Sequence, residues 1–460
     1  MLKNYREKKS DLIFFIIIIS YLINDQFRYL FSNKKLEIIC FIFKDLLLLI
    51  FTINIIIGKK IDYFKNFFSK NFFLITIIFS YLLLNFINLN NKILFFSGFY
   101  DILYFPLIFF VLFHHKINYF FFQKIIYFIF LIIFFFFIIQ IVDLNFYINF
   151  FLNNINSDQT KILLEKKSYN PLILNDTGVY LHQVPSIFNN AGRLNHFIPS
   201  FYLLSLFLYL EKKNKKILFI LYILILMAII NASRYALILI LIPTLEVLFI
   251  KYYKKFYSKN FKFHLTIIVL LNLLILYFFS FFHENRLPKK IQVFKPLIII
   301  YHNFYEPILS SFDTNKKDSA SSISGRLLII KNELNYYLIT IKPNFKNIFF
   351  GNGIGTHSLG TKYLLNEKNI YIAENSLVVF VFEFGFLGLF ILLYLYYKFL
   401  KWIKIISKNK YYLKTVFILP LILMLTGYQF YRNYVFQFFF FMMLIMLIKK
   451  FLYQKTSQTN

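Results

Sequence analysis

The residues able to do chemistry fall in two late stretches and two short turns. Ser324-Gly325-Arg326 opens an amphipathic helical pattern (Leu327, Leu328, Ile330, Leu334, Leu338, Ile341) that stops before Pro343. Ser324 suits an N-cap, and the free N–H groups of that first turn beside a guanidinium make an anion site. Arg326 is therefore a phosphate-clamp candidate, the alternative being a structural arginine at a membrane surface. Further on, Ala373-Glu374-Asn375-Ser376 leads into an apolar helix. Glu374, with Asn375 beside it, sits where a carboxylate can orient or deprotonate a hydroxyl, or simply where the helix dipole stabilises an acid. Glu383 lies inside the same apolar helix and needs a partner there, in a structural ion pair or in a binding site.

Between these stretches lies Gly351-Asn352-Gly353-Ile354-Gly355. It looks superficially like a dinucleotide loop, but no strand-then-helix unit surrounds it. Glycines here let the backbone turn tightly or approach a ligand closely, which makes Gly353 a substrate-side candidate. Two more cations stand at short polar turns, Arg234 in Asn231-Ala232-Ser233-Arg234 and Arg193 in Asn190-Ala191-Gly192-Arg193. Each either meets an anion or snorkels to lipid headgroups.

The elements that must position these residues are membrane helices. The chain is 59% hydrophobic and only 16% charged, more apolar material than one soluble core of 460 residues would hold. Runs able to cross about 30 Å of hydrocarbon lie near 12–30, 36–57, 72–89, 93–113, 119–142 and 194–210, and again near 216–231, 234–250, 261–281, 375–397, 413–428 and 432–448. The fold class expected is an all-α polytopic membrane protein of about twelve spans, one integral membrane domain over 1–460.

Lysines orient it. The tail with Lys3, Arg6, Lys8 and Lys9, the turn with Lys59, Lys60, Lys65 and Lys70, the connector Glu211 to Lys216, the segment Lys251 to Lys262, the connector from Lys398 to Lys414 and the tail with Lys449, Lys450 and Lys455 all fall on one side. That side is the cytoplasm, which puts both termini inside the cell. Opposite turns hold few cations, such as Lys92 or Arg432 alone. Two long segments, 143–193 and 282–374, then fall outside, and the second carries most of the candidate site.

The same arrangement narrows the function. A formal charge of +30 suggests nucleic acid in a soluble protein, but these lysines are spent on topology, so no nucleic acid is expected. Cys40 is the only cysteine, which excludes an intrachain disulfide or a cysteine metal site. His114-His115 has no third ligand nearby, and no metal or cofactor is expected. Asp45, Asp101 and Glu246 are read as structural. The N-terminal apolar run has no small-residue cleavage site after it and reads as a retained span.

Taken in order, Ser233-Arg234, Gly325-Arg326, Pro343, Gly351-Asn352-Gly353, Glu374-Asn375-Ser376, Glu383 and Gly385-Phe386-Leu387-Gly388 resemble the O-antigen ligase and O-antigen polymerase superfamily of bacterial envelope glycosyltransferases. The resemblance is strongest over 190–400. It implies a lipid-linked-sugar transferase fold without nucleotide sugar or obligatory metal, and a donor glycan on undecaprenyl pyrophosphate held by Arg234 and Arg326. It implies a saccharide or lipid A core acceptor, and a chain-length regulator or flippase as possible partners beside the bilayer. Where ligases of this family carry histidine, this chain has Glu374, which favours polymerisation of a surface polysaccharide over ligation in lipopolysaccharide biosynthesis. A reading from another class is a lipid-linked oligosaccharide flippase or transporter, whose charged residues would line a path through the midplane.

Overall fold

The computed structural model describes residues 12, 15–20, 34–57, 61–89, 92, 94–96, 98, 107, 111, 119–142, 171–173, 180–182, 186, 191–212, 214–231, 236–237, 239–241, 243–244, 331–341, 343–356 and 376–406. They fall in two compact units. The first takes in Met1–Ile53, Phe109–Ile308 and Phe438–Asn460, the second Asn54–Ile108 and Leu309–Gln437.

In the first unit, α1 (Lys34–Ile57, whose last turn passes into the second unit) and α3 (Tyr119–Val142) match the apolar runs seen in the sequence. The apolar residues of helix α3 are spread round all its sides, with no single apolar face. Among the described residues its Gln123–Val142 portion is the one stretch long and apolar enough to cross a membrane. Shorter apolar helical stretches are Asp45–Ile55, Ile75–Ile87, Leu194–Leu210 and Val378–Ile391.

Helices α4 (Ala191–Lys212) and α5 (Lys215–Ile230) form an antiparallel hairpin. Asn214 turns it, its side chain accepting from Lys216 N at 3.0 Å and its carbonyl from Ile217 N at 3.1 Å. Pro199 lies inside α4 and removes one helical donor. The Ser200 hydroxyl next to it donates back to the Phe197 carbonyl at 2.8 Å. Deep in this unit the Thr244 hydroxyl donates to Ile240 O at 2.6 Å, so the 2.7 Å contact between Tyr202 and Thr244 is donated by the tyrosine.

The segment 143–193 is not plain loop. Strands β1 (Pro171–Ile173) and β2 (Tyr180–His182) pair antiparallel, with Leu172 opposite Leu181. Asn175, Asp176 and Gly178 between them are turn formers, a signal that the search for long apolar runs passes over. Ser186, at φ 55°, is fully buried against α3. Gln140 grips its backbone with both ends of the amide, accepting from Ser186 N at 2.7 Å and donating to Ser186 O at 2.9 Å. The serine hydroxyl reaches down to Ile133 O at 2.7 Å.

In the second unit, α2 (Ile61–Asn88) begins well before the apolar run at 72, so Lys65 and Lys70 lie on a helix where a turn was expected. Lysine is a good helix former, and hydropathy fades at a charge where the backbone ladder does not. The same reason carries α7 (Ser376–Ile406) through Lys398, Lys401 and Lys404. At the other end of α2, the Lys92 ammonium sits on the last carbonyls, 2.5 Å from Phe86 O, 3.0 Å from Ile87 O and 2.7 Å from Leu89 O. Residues 331–341 are helical, with a π-helix over Tyr336–Ile341, and the helix is over before Pro343, as the sequence pattern predicts. A short helix, α6 (Phe345–Phe350), follows.

Removing the Gln140 amide strands a buried N–H and a buried C=O at Ser186, each costing about 1–3 kcal/mol. Gln140→Leu is therefore expected to lower the melting temperature in detergent by more than Ser186→Ala does, since the latter strands only one acceptor.

Candidate functional site

The second unit brings together two parts singled out from sequence, the glycine segment 351–355 and the helix carrying Glu383. Local chemistry builds the approach. Pro343 ends the preceding helix, Asn344 caps α6 by accepting from Asn347 N at 2.8 Å, and Gly351 N closes it on Asn347 O at 2.8 Å. Gly351 has φ 84° and ψ 169°, a conformation essentially reserved for glycine.

Helix α7 is broken where this segment meets it. Gly385 sits at φ 64°, ψ −173°, also in the glycine-only region, and splits the helix into an N-terminal piece holding Glu383 and a longer C-terminal piece. A break of this kind frees carbonyls that the helix would have paired. Asn352 N donates to Phe382 O at 2.8 Å and Gly353 N to Glu383 O at 3.1 Å. The Tyr81 hydroxyl of α2 lies between Phe384 O at 2.5 Å and Phe350 O at 3.2 Å. Three successive carbonyls at the break are thus served from outside the helix.

The contact is backbone on backbone. A Cβ on Gly385 would come within 2.6 Å of the Phe349 carbonyl carbon, and closer to Gly351 N. One on Gly351 would come within 2.6 Å of Phe384 N. Gly98 packs the far side of the segment, where a Cβ would stand 2.6 Å from Gly355 Cα. Gly388 makes room for the Tyr81 hydroxyl, 3.0 Å from where its own Cβ would be. The two glycines of Gly385-x-x-Gly388 therefore have separate tasks, breaking the helix and admitting the phenol.

Side chains close the surroundings. Tyr81, Leu89, Phe95, Ile354 and Phe384 form one buried cluster, with Ile354 wholly covered. Tyr337 stacks on Phe382 at 4.1 Å between centroids, beside Val378 and Val379. Burial pushes the Tyr337 phenol above its ordinary pKa, and its hydrogen bond with the Asn352 side chain offsets part of that. It stays protonated, and so remains a donor, well into alkaline solution. Glu383 is 0% exposed, within electrostatic reach of Tyr81. On either side of Leu387 runs an apolar groove, one of about 380 Å³ past Phe349, Phe386 and Phe390, the other of about 260 Å³ past Phe73, Ile77 and Tyr81.

Of the residues proposed from sequence, Gly353 and Glu383 are in direct contact through their backbones. Arg193 lies in the first turn of α4, in the first unit. Next to it Asn195 accepts from the Asn231 side chain at 2.7 Å, tying that turn to the end of α5 from which the chain leads to Ser233-Arg234. Glu374, Asn375, Ser324, Arg326 and Arg234 lie outside the described residues. Sequence reasoning missed Tyr81, a tyrosine in a Leu- and Phe-rich run of α2, one turn before Asn85. Among the described residues no group of three or more His, Cys, Asp or Glu side chains is placed to hold a metal ion. Compared with protein-family models, curated proteins and solved structures, the chain matches none of them.

Alanine at Gly385 or Gly351 must leave a glycine-only conformation, which alone costs about 1–3 kcal/mol, and must also push two backbones apart. Both variants are expected to melt well below the unsubstituted protein in detergent, whereas Phe390→Ala, on an exposed site of the same helix, shifts the melt by about 0.5 kcal/mol or less.

Proposed function

We propose that the chain is a polytopic inner-membrane glycosyltransferase of about twelve spans that polymerises a surface polysaccharide from a donor linked to undecaprenyl pyrophosphate, at the periplasmic face. The ordered set of motifs from Ser233-Arg234 to Gly385-x-x-Gly388 carries this reading. It gains support from the contact between two members of that set, the glycine segment and the Glu383 helix, which binds the end of the polar stretch after Arg326 to the helix that begins beside Glu374 and Asn375.

In this mechanism an acceptor sugar hydroxyl attacks the anomeric carbon of the donor. The bond from that carbon to the phosphate oxygen breaks, undecaprenyl pyrophosphate leaves with the electron pair, and Glu374 takes the hydroxyl proton. Negative charge grows on the diphosphate as the bond lengthens, so fixed guanidinium groups in a dry site favour the transition state over the ground state. Arg326 and Arg234 supply that charge, with Arg193 as a further cation and Ser324 and Asn375 as hydrogen-bonding partners of substrate.

Deleting the gene is expected to leave a single repeat unit in place of the polysaccharide ladder on a gel; accumulated unattached polymer would identify a ligase instead. Arg326→Ala, expressed and inserted normally, should lose about 10²-fold or more of the polymerising activity, and a full ladder from that variant refutes the clamp. Glu374→Gln should lower turnover by about 10²-fold with little change in donor binding, as loss of a general base does. Equal losses in turnover and binding would count against a base.

A further inference from the structure

Tyr81 has no place in the mechanism above, yet its hydroxyl stands where the broken helix meets the chain entering the glycine segment, beside the Asn352 and Gly353 backbone bonds. We propose that Tyr81 is a positioning residue: by sharing its proton between Phe384 O and Phe350 O, it holds the segment 351–355 against the break in α7 and so fixes the mouth of that helix for substrate. The proposal rests on the transferase reading for its last step only.

The geometry supports it in three ways. A phenol has one proton, and here two carbonyl oxygens from different segments lie 2.5 and 3.2 Å from it, so either partner moving away leaves the other bond to strengthen alone. The Phe350 carbonyl immediately precedes Gly351, and the Phe384 carbonyl immediately precedes Gly385, two of the four glycines held at positive φ. The hydroxyl therefore bridges the residues just before those two glycines. Gly388 leaves the space that lets the phenol reach them, while the ring is held by Phe384 at 6.4 Å between centroids and by the surrounding cluster. The ring supplies packing that phenylalanine would keep; the bridge depends on the oxygen, as do its interactions with the Asn85 side chain and Glu383.

The test uses the full chain reconstituted in vesicles, with Cys40→Ser removing the native thiol and Ile354→Cys reporting on a fully buried site of the glycine segment. The probe substrate is the lipid-linked repeat unit extracted from the deletion strain. With Tyr81→Phe added, maleimide labelling at position 354 should accelerate about tenfold as the segment lifts. In a chain that keeps Ile354, Tyr81→Phe should raise the KM for the lipid-linked repeat about tenfold with kcat changed by less than about twofold. Loss of folded enzyme alone would lower kcat and leave KM where it was. Unchanged labelling overturns the bridge, and faster labelling with an unchanged KM overturns the positioning role. If the unsubstituted chain consumes no lipid-linked repeat, the transferase reading falls and takes the positioning role with it, while the labelling result still decides the bridge.

Discussion

A helix broken at Gly385 leaves carbonyl oxygens without partners, and the second unit is arranged to supply them. Phe382 O, Glu383 O and Phe384 O take their protons from Asn352 N, Gly353 N and the Tyr81 hydroxyl in turn. Away from water each of these groups left bare would cost several kcal/mol, more than the break could survive. The short helix α6, the Asn344 cap and the stacking of Tyr337 on Phe382 all serve to deliver the donors to that place. Breaking the helix and docking the segment are consequently one event, because neither conformation is satisfied alone.

Irregular backbone away from water is tolerated where protein covers it, and here the cover is a second irregular segment whose glycines let the two stretches touch directly. The result is a junction at the end of the N-terminal piece of α7, the piece that follows Glu374 in sequence and carries Glu383. The first unit uses a different device for a related end. Gln140 reaches out from α3 to pair with both backbone groups of Ser186, so that residue is pinned by a side-chain amide and not by glycine.

Much of the helical layout was legible because burial of long apolar runs is a local property. Tyr119–Val142 and Lys34–Ile57 fall almost where hydropathy places them. The starts of helices were less legible, since Lys65 and Lys70 continue a helix as readily as they end a hydrophobic window. Pairings between distant segments were hardly legible at all. Gly353 and Glu383 each drew notice, one as a point of close approach and one as a buried acid, but nothing in their spacing says that the nitrogen of one meets the carbonyl of the other. A Cβ on Gly353 would stand 2.6 Å from the side chain of Leu89, just past the end of α2, a neighbour that its spacing does not announce. Tyr81 and Ser186 escaped for the same reason, because each is defined by where its partner lies and not by its neighbours in sequence.

Lys92 gives the topology argument a finer grain. Its ammonium rests on three carbonyls at the end of α2 and over the Phe86 ring at 4.9 Å, so much of its charge is already answered by the dipole of the helix it follows. A lysine neutralised in this manner opposes translocation less than a hydrated one would. On the topology proposed, a tally that weighs every lysine alike therefore overstates the cationic character of the turn after α2.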